Sequence, residues 1–248
     1  MSKPFGIDIS RWQGTADWDV IAAHEAKVEF AVFRATISWG YKDVQLIPNM
    51  LGAKAKGILR SAYHVVYPLQ PADRQMDNFF EALDGDWGEL PLVLDVELLH
   101  DAKWFQVQTT VKQCADIIEQ RTGRKPIIYS RAGWVNDYMT NHGYNIPSWL
   151  NDYDWWLAQY LTSGAEHPGP PRLPIGVTRD KVVIHQTADH TPGFGVESAM
   201  MDYNRWQGTS EQLIEYAGVP ENESPPESHL SDAEKLARLW AAHPSLHG

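Results

Sequence analysis

The sequence is poor in cysteine, in long apolar runs and in basic residues. Its single cysteine, Cys114, cannot form an intramolecular disulfide and leaves too little sulfur for a cysteine-based zinc site. No apolar stretch approaches the roughly 18–20 residues that a membrane-spanning helix requires. The chain has 21 basic and 32 acidic residues and a net charge of −11. This charge argues against nucleic acid or an anionic membrane surface as a partner, and it favours a neutral ligand or a site that concentrates carboxylates.

Several motifs of cofactor and nucleophile chemistry are also missing. No basic segment followed by an apolar run opens the chain, so we predict no signal peptide. The ten histidines form no His-Glu-x-x-His motif and lie near no second cysteine, so no metal site is expected. There is no Gly-x-Ser-x-Gly elbow and no phosphate-binding glycine-rich loop. We therefore expect no cofactor.

The apolar pattern predicts an α/β barrel that loses its helices towards the end. In the first half, strand-like runs alternate with helical patterns, the clearest helix spanning residues 107–120 with Cys114 on its buried stripe. In the second half, the strands are joined by Gly- and Pro-rich segments with little helical pattern. The predicted strands are residues 5–9, 30–34, 62–66, 91–97, 126–130, 155–160, 182–186 and 199–203. Nearly continuous apolar strands are typical of a parallel sheet covered by helices.

The composition changes after Gly218, which predicts three regions. Residues 1–218 form the main domain, and residues 219–230 form a linker rich in Pro, Glu and Ser. Residues 231–248 form a short amphipathic C-terminal helix, which opens with the capping-box pattern Ser-Asp-Ala-Glu. Because so short a helix is marginal alone in water, we expect its apolar face to dock on the barrel, on a second chain, or on a wall or virion partner.

The strongest chemical signal is Asp95-Val96-Glu97 at the end of an apolar strand. Alternate residues of a strand share a face, so both carboxylates point the same way, at the end of a parallel strand where barrel active sites lie. Crowded carboxylates raise one another's pKa, which supplies a general acid beside an ionised partner. A surface Asp and Glu that cap the following helix are the alternative.

Two further aspartates strengthen the catalytic interpretation. Asp8 ends the first predicted strand, and Asp202 is placed at the end of the last one. The first and last strands of a closed barrel are neighbours, so acids on three strands meet at one mouth.

Seven segments in order resemble glycoside hydrolase family 25, the lysozymes (N-acetylmuramidases) that cleave peptidoglycan. The segments are GIDISRWQG (6–14), FRAT (33–36), AYH (62–64), LDVE (94–97), IYS (128–130), WLAQY (156–160) and MDYNRWQG (201–208). The resemblance covers about residues 5–218 and implies a flattened, TIM-like (β/α)5β3 barrel. It also implies retaining cleavage of the β-1,4 bond between N-acetylmuramic acid and N-acetylglucosamine.

The resemblance also assigns residues to the site. It implies that Glu97 is the general acid/base and that Asp95 assists the 2-acetamido group of the substrate, with Asp8 and Asp202 as flanking acids. The predicted substrate-binding residues are Arg34, Tyr63, Tyr129, Trp156, Tyr160 and Gln186. Three features depart from the family: His185 replaces a common aromatic, residues 162–180 are long and Pro-rich, and no wall-binding repeats follow the barrel.

Alternatives remain open on mechanism, function and setting. Asp95 is either a direct nucleophile or a partner of the acetamido group. The rival functions are a non-catalytic carbohydrate-binding barrel and a glycosidase acting on chitin or another N-acetylated glycan. As partners we expect peptidoglycan, no nucleic acid and no membrane span. The protein is expected to act on the bacterial cell wall, either as a phage endolysin made in the host cytoplasm or as a secreted enzyme whose signal has been removed.

Overall fold

A computed structural model describes residues 3–218, except the side chain of His190. The predicted linker at 219–230 and the predicted C-terminal helix at 231–248 lie outside the described residues, and both stay predictions. No helix within the described part of the chain is long and apolar enough to cross a membrane.

The described residues form one mixed sheet that closes into a barrel. The strands are β1 (Phe5–Ile9), β2 (Val28–Ile37), β3 (Tyr41–Lys42), β4 (Leu59–Val65), β5 (Val93–Asp95), β6 (Ile127–Ser130), β7 (Trp155–Ala158), β8 (Val182–Pro192) and β9 (Met200–Trp206). Their order is β1-β9-β8-β7-β6-β5-β4-β2-β3, and β1 also pairs with β2. That last pairing closes the barrel and leaves β3 as a short hairpin partner of β2.

Helices cover the first part of the barrel and become sparse in the second. They are α1 (Trp18–Ala23), α2 (Leu46–Ala55), α3 (Ala72–Leu83), α4 (Trp104–Thr122), the short α5 (Ala132–Trp134) and α6 (Ser210–Ala217). A π-helical turn (Val135–Met139) continues α5. Between β7 and β8 the regular structure is a single 3-10 turn (Arg179–Lys181). The predicted flattened (β/α)5β3 barrel is confirmed.

Two layers of side chains fill the structure because strand residues alternate between the barrel interior and the helices. Ile7, Leu94 and Ile128 pack outwards in one buried cluster with the apolar stripe of α4, which includes Cys114. The interior side carries Phe30, whose ring lies against Gly6 so closely that a Cβ there would come within 2.3 Å of it. Gly6 therefore makes room for a ring that fills the barrel.

The structure corrects the predicted position of Asp202 within the last strand. Asp202 was placed at a strand end, but it is the third residue of β9, which runs antiparallel to both β1 and β8. Because β9 is reversed, its beginning lies at the rim where the parallel strands end. The strand predicted at 91–97 is also shorter, since β5 ends at Asp95. Glu97 lies just beyond it, while Val96 still donates its N–H to the carbonyl of Tyr129 at 2.9 Å.

Candidate active site

A small cavity of about 90 Å³ opens at the mouth of the barrel. Its lining combines three carboxyl groups with three aromatic rings: Asp8, Tyr63, Asp95, Glu97, Tyr129 and Trp156. All but one lie within the parallel strands β1, β4, β5, β6 and β7, and Glu97 comes two residues after the end of β5. The mouth of the barrel is thus where the predicted acids meet.

Asp95 and Glu97 line this cavity together, as their spacing predicts. Asp95 is the last residue of β5 and is buried, whereas the Glu97 side chain is 32% exposed. Arg131, directly after β6, holds its Nη2 atom 3.8 Å from Oε2 of Glu97. The two carboxyl groups therefore differ in their access to solvent and to a cation.

Asp8 and Asp202 are directly opposite each other in the antiparallel pair of β1 and β9. Two carboxylates in this position repel unless they share a proton. Burial and the negative charge of Asp8 raise the pKa of Asp202 to about 9. Asp202 thus carries the proton and donates a hydrogen bond to Asp8.

A chain of hydrogen bonds fixes the Asp8 carboxylate. Its Oδ2 atom accepts from Nδ2 of Asn204 at 2.7 Å and from Nε2 of Gln186 at 3.0 Å. Gln186 accepts in turn from the Tyr129 hydroxyl at 2.8 Å, and Asn204 accepts from the Trp156 indole N–H at 2.8 Å. Asp8 is therefore linked to two of the rings that line the cavity.

Burial and mutual repulsion raise the pKa values of the acids in the cavity. Burial raises the pKa of Asp8 to about 6, against the hydrogen bonds from Asn204 and Gln186. Burial, followed by the charges of Glu97 and Asp8, raises the pKa of Asp95 well above its usual range. Burial also raises the pKa of Glu97, while the charge of Arg131 opposes that rise. Near neutral pH the group therefore holds protons that isolated carboxyls would have lost.

One oxygen of Asp95 has no partner in the described structure. Its Oδ1 atom is buried and meets no hydrogen-bond donor among residues 3–218. A buried carboxylate oxygen without a donor is costly. Asp95 thus keeps acceptor capacity that the rest of the site leaves unused.

The other four predicted site residues do not line the cavity itself, and their contacts differ. Gln186 touches the site through Tyr129 and Asp8, and Asp202 touches it through Asp8. Tyr160 is half-buried and hydrogen-bonds to Asp189. Arg34 is buried in an ion pair with Asp43, with Nη2 and Oδ2 2.8 Å apart.

Two residues of the site were missed at the level of sequence. Asn204 lies two positions after Asp202 on the same strand, so strand alternation places it on the same face. Arg131 directly follows the predicted strand 126–130. A residue directly after a parallel strand lies at the rim of the barrel, so its position could have predicted that Arg131 belongs to the site. Within residues 3–218, no group of three or more His, Cys, Asp or Glu side chains is arranged to hold a metal ion.

The arrangement supports acid–base chemistry on a neutral, ring-shaped ligand. A half-exposed carboxyl of raised pKa stands beside a buried carboxyl, which is the pairing that glycoside hydrolysis uses. Aromatic rings around the acids offer flat apolar faces with polar edges. Nothing in this lining favours an anionic ligand close to the acids.

Comparison with known proteins identifies relatives of the whole barrel. The profile of glycosyl hydrolases family 25 matches residues 7–196. Protein YegX of Escherichia coli O6:H1 (strain CFT073) is 34% identical over 211 residues, which cover 84% of this chain and 71% of YegX. Lysozyme M1 of Streptomyces globisporus is 31% identical over 223 residues, 86% of this chain and 70% of that protein.

A solved structure of a lysozyme has the same fold as this chain. The crystal structure of a bacterial lysozyme from Streptomyces coelicolor superposes with a TM-score of 0.70 and 26% sequence identity. The match covers 88% of this chain and 98% of the lysozyme. The similarity therefore extends over nearly the whole described barrel.

Proposed function

This chain belongs to glycosyl hydrolase family 25 and is a glycoside hydrolase of the lysozyme type, and from that premise we propose that it is a retaining N-acetylmuramidase. Its substrate is the β-1,4 bond between N-acetylmuramic acid and N-acetylglucosamine in peptidoglycan. The observation that carries the proposal is the cavity that Glu97 and Asp95 line together with aromatic rings.

Glu97 is the general acid of the first step. It is the more exposed of the two carboxyls on this segment, so its proton reaches a glycosidic oxygen that lies at the cavity mouth. Burial raises the pKa of Glu97, which favours the protonated form that a general acid needs. The proton moves to the leaving oxygen as the bond to the anomeric carbon breaks.

Asp95 assists the 2-acetamido group in the same step. The acetamido oxygen attacks the anomeric carbon and forms a cyclic oxazolinium ion, while the acetamido N–H donates to Asp95. The unused Oδ1 acceptor of Asp95 supports this role. In the free pocket Asp95 and Glu97 titrate as a pair. A donor that arrives at Asp95 stabilises its ionised form, which leaves the proton on Glu97.

The second step returns the enzyme to its starting state. Glu97 now accepts a proton from a water molecule, whose oxygen attacks the anomeric carbon and opens the oxazolinium ring. Two inversions at the same carbon give net retention. Asp8, which is held by Asn204 and Gln186, places a further negative charge near the developing positive charge of the sugar.

Product analysis tests this function. The protein is incubated with purified peptidoglycan and, in parallel, with chitin oligosaccharides, and the products are reduced with borohydride and analysed by mass spectrometry. The proposal expects reduced N-acetylmuramic acid at the new ends and little cleavage of chitin. Reduced N-acetylglucosamine at the new ends, or faster cleavage of chitin, would contradict it.

The setting of the activity follows from the substrate. We propose that the protein acts on the bacterial cell wall, as a phage endolysin or as a secreted enzyme. Recovery of activity from the culture medium of the native host without lysis would support secretion.

A further inference from the structure

Two exposed tryptophans and an arginine lie on neighbouring loops at the rim of the barrel and are not among the residues that line the acidic cavity. Trp12 is 67% exposed and Trp39 is 52% exposed. The Arg11 guanidinium lies over the Trp12 ring at 4.8 Å and over the Tyr41 ring at 5.3 Å. We call Arg11, Trp12, Trp39 and Tyr41 the Arg–Trp surface. Clustered exposed aromatics mark binding sites more often than isolated ones do.

Arg11 has no acidic partner among residues 3–218. Asp43 contacts this residue, but it is buried and already paired with Arg34, and it accepts only the main-chain N–H of Arg11 at 3.1 Å. In a chain of net charge −11, an exposed arginine that escapes ion pairing keeps all five of its side-chain donors for a ligand. The guanidinium favours carboxylates because its planar fork matches their two oxygens.

The loops that carry these residues are held in place. Ser10 and Gln13 form a capping box around the 3-10 turn that contains Arg11 and Trp12. On the other loop, Trp39 lies at the tip of the hairpin between β2 and β3, where Ile37 pairs with Tyr41. Asn78 of α3 donates to the carbonyls of Ser38 and Tyr41, at 3.1 Å each. A fixed surface binds a ligand at a smaller entropic cost than a mobile one.

The Arg–Trp surface lies at the same end of the barrel as the acids. Trp12 comes four residues after Asp8, and Trp39 comes two residues after the end of β2. β1 and β2 are parallel neighbours, so both loops leave the barrel at the rim where the cavity opens. A polymer chain whose cleaved bond lies at Glu97 can therefore continue along the rim onto this surface.

We propose that the Arg–Trp surface is a subsite for the peptidoglycan strand beyond the cleaved bond, with sugar rings on Trp12 and Trp39 and a stem-peptide carboxylate on Arg11. The inference rests on the proposed muramidase function and adds to it the recognition of the peptide. Peptidoglycan carries short peptides on the lactyl groups of its muramic acid units, and those peptides bear carboxylates. Such a ligand matches both features of the surface, the apolar ring faces and the single unpaired cation.

Kinetics on two matched substrates test this subsite. Soluble peptidoglycan fragments of several disaccharides are used in two forms. One form keeps its stem peptides. In the other, an amidase has removed the peptides, and carbodiimide with ammonia has converted the lactyl carboxylates that this exposes into neutral amides. For Arg11→Gln we expect KM to rise at least about threefold on the peptide-bearing fragments and to stay unchanged on the peptide-free ones, with kcat within about twofold on both. For Trp12→Ala and Trp39→Ala we expect KM to rise about fivefold on both substrates.

Matched variants elsewhere on the surface serve as controls. Arg74→Gln changes an exposed arginine on α3, and Tyr144→Ala changes a side chain that is 84% exposed in the segment between α5 and β7. Both controls should keep wild-type KM on both substrates. The subsite is overturned if Arg11→Gln and the tryptophan variants match these controls. Equal losses for Arg11→Gln on the two substrates would overturn the carboxylate assignment.

A binding measurement separates this proposal from the muramidase function. If the wild-type protein releases no new muramic acid ends from either substrate, the proposed function is wrong. The variants are then compared with wild type by sedimentation with intact peptidoglycan and with amidase-treated peptidoglycan whose exposed lactyl carboxylates have been amidated. Weaker binding of the tryptophan variants to both, and of Arg11→Gln only to the peptide-bearing wall, would still support the subsite, and wild-type binding would overturn it.

Discussion

The pairing of Asp8 with Asp202 makes the free energy of unfolding depend on pH. The two carboxyl groups lie opposite each other on β1 and β9, and Asp202 holds a proton up to a pKa of about 9. The unfolded chain releases that proton near pH 4. Because the folded state binds the proton more tightly, this contribution to stability is full below the unfolded pKa and is lost as pH rises through the folded pKa.

The first prediction concerns Asp202→Asn. An amide still donates a hydrogen bond to Asp8 but cannot ionise. We therefore expect the free energy of unfolding of this variant to fall less steeply between pH 4 and pH 9 than that of wild type, by up to about 1.4 kcal/mol per pH unit. Urea denaturation across this range measures the slopes. Asp73→Asn, on the exposed side of α3, should keep the wild-type slope, and an identical slope for Asp202→Asn would refute the shared proton.

The second prediction concerns Asn204→Ala. This change removes a donor to Asp8 and leaves the buried indole N–H of Trp156 without an acceptor. We expect a loss of about 1–3 kcal/mol in the free energy of unfolding, measured by chemical denaturation. Asn145→Ala, at an exposed position, should change it by less than about 0.5 kcal/mol. A loss no greater than that of the control would show that the hydrogen-bond chain does not hold Asp8.

Strand alternation explains which of these residues the sequence could predict. It correctly placed Asp95 and Glu97 on one wall, and the closure of the barrel correctly brought Asp8 to Asp202. It did not reveal that Arg34 is held by Asp43, because that contact depends on a turn after β3 whose shape no local pattern specifies. The sequence also could not predict that Asp202 is protonated. Its protonation depends on burial and on the antiparallel pairing that places Asp202 opposite Asp8.

At the scale of elements, a loop takes the place of a helix between β7 and β8. Hydrogen bonds from its main chain and side chains hold this loop against β8. In the main chain, the His167 N–H donates to the carbonyl of Thr187 at 2.8 Å. Glu166 in this loop accepts from Arg205 at 2.6 and 2.9 Å and from the Thr187 hydroxyl at 2.7 Å. The loop therefore covers the outer side of β8 with polar contacts where earlier strands have apolar helices.

The third prediction concerns Glu166→Gln. The amide cannot make the two charged contacts with Arg205, so we expect a loss of about 1 kcal/mol at neutral pH, reduced by the partial exposure of both side chains. Burial acts to raise the pKa of Glu166, but the hydrogen bonds from Arg205 and Thr187 outweigh burial and lower that pKa. Its contribution is therefore present above the unfolded pKa and is lost as pH falls through the folded one.

Thermal unfolding at pH 7 and at pH 3 measures this difference. Glu81→Gln removes an ion pair with Lys42 in which the glutamate is 75% exposed, and it serves as the control. Wild type and Glu166→Gln should differ at pH 7 and converge at pH 3. A difference that persists unchanged at pH 3 would contradict the ionic role of Glu166.

The elements themselves were largely predictable, and the exceptions have physical causes. The stripe through Cys114 predicted 107–120, and α4 spans Trp104–Thr122, because helical periodicity is strong over several turns. β8 continues to Pro192, beyond the predicted 182–186, since its far end pairs with β9 in a hairpin rather than following an apolar run. The residues of β9 could not predict its antiparallel direction, because the alternation of apolar and polar residues along a strand is the same for parallel and antiparallel strands.

At the scale of the whole molecule, the compact unit that ends at Gly218 contains both the closed barrel and the cavity. The fourth prediction is that a chain shortened to residues 1–218 retains turnover on soluble peptidoglycan fragments. If the predicted C-terminal helix is an association element, the shortened chain should differ from full length in light-scattering mass or in binding to intact walls. A collapse of turnover on soluble fragments would mean that the tail belongs to the catalytic fold.

The fifth prediction tests the central claim that Glu97 is the general acid of a muramidase. The measurement is kcat/KM of Glu97→Gln and of wild type on purified peptidoglycan fragments, together with sedimentation of both proteins with intact peptidoglycan. The amide keeps the shape of the side chain but has no acidic proton, so turnover should fall by at least about 10²–10⁴-fold while binding to the wall persists. Turnover within about tenfold of wild type would contradict the assignment, because a general acid contributes more than that.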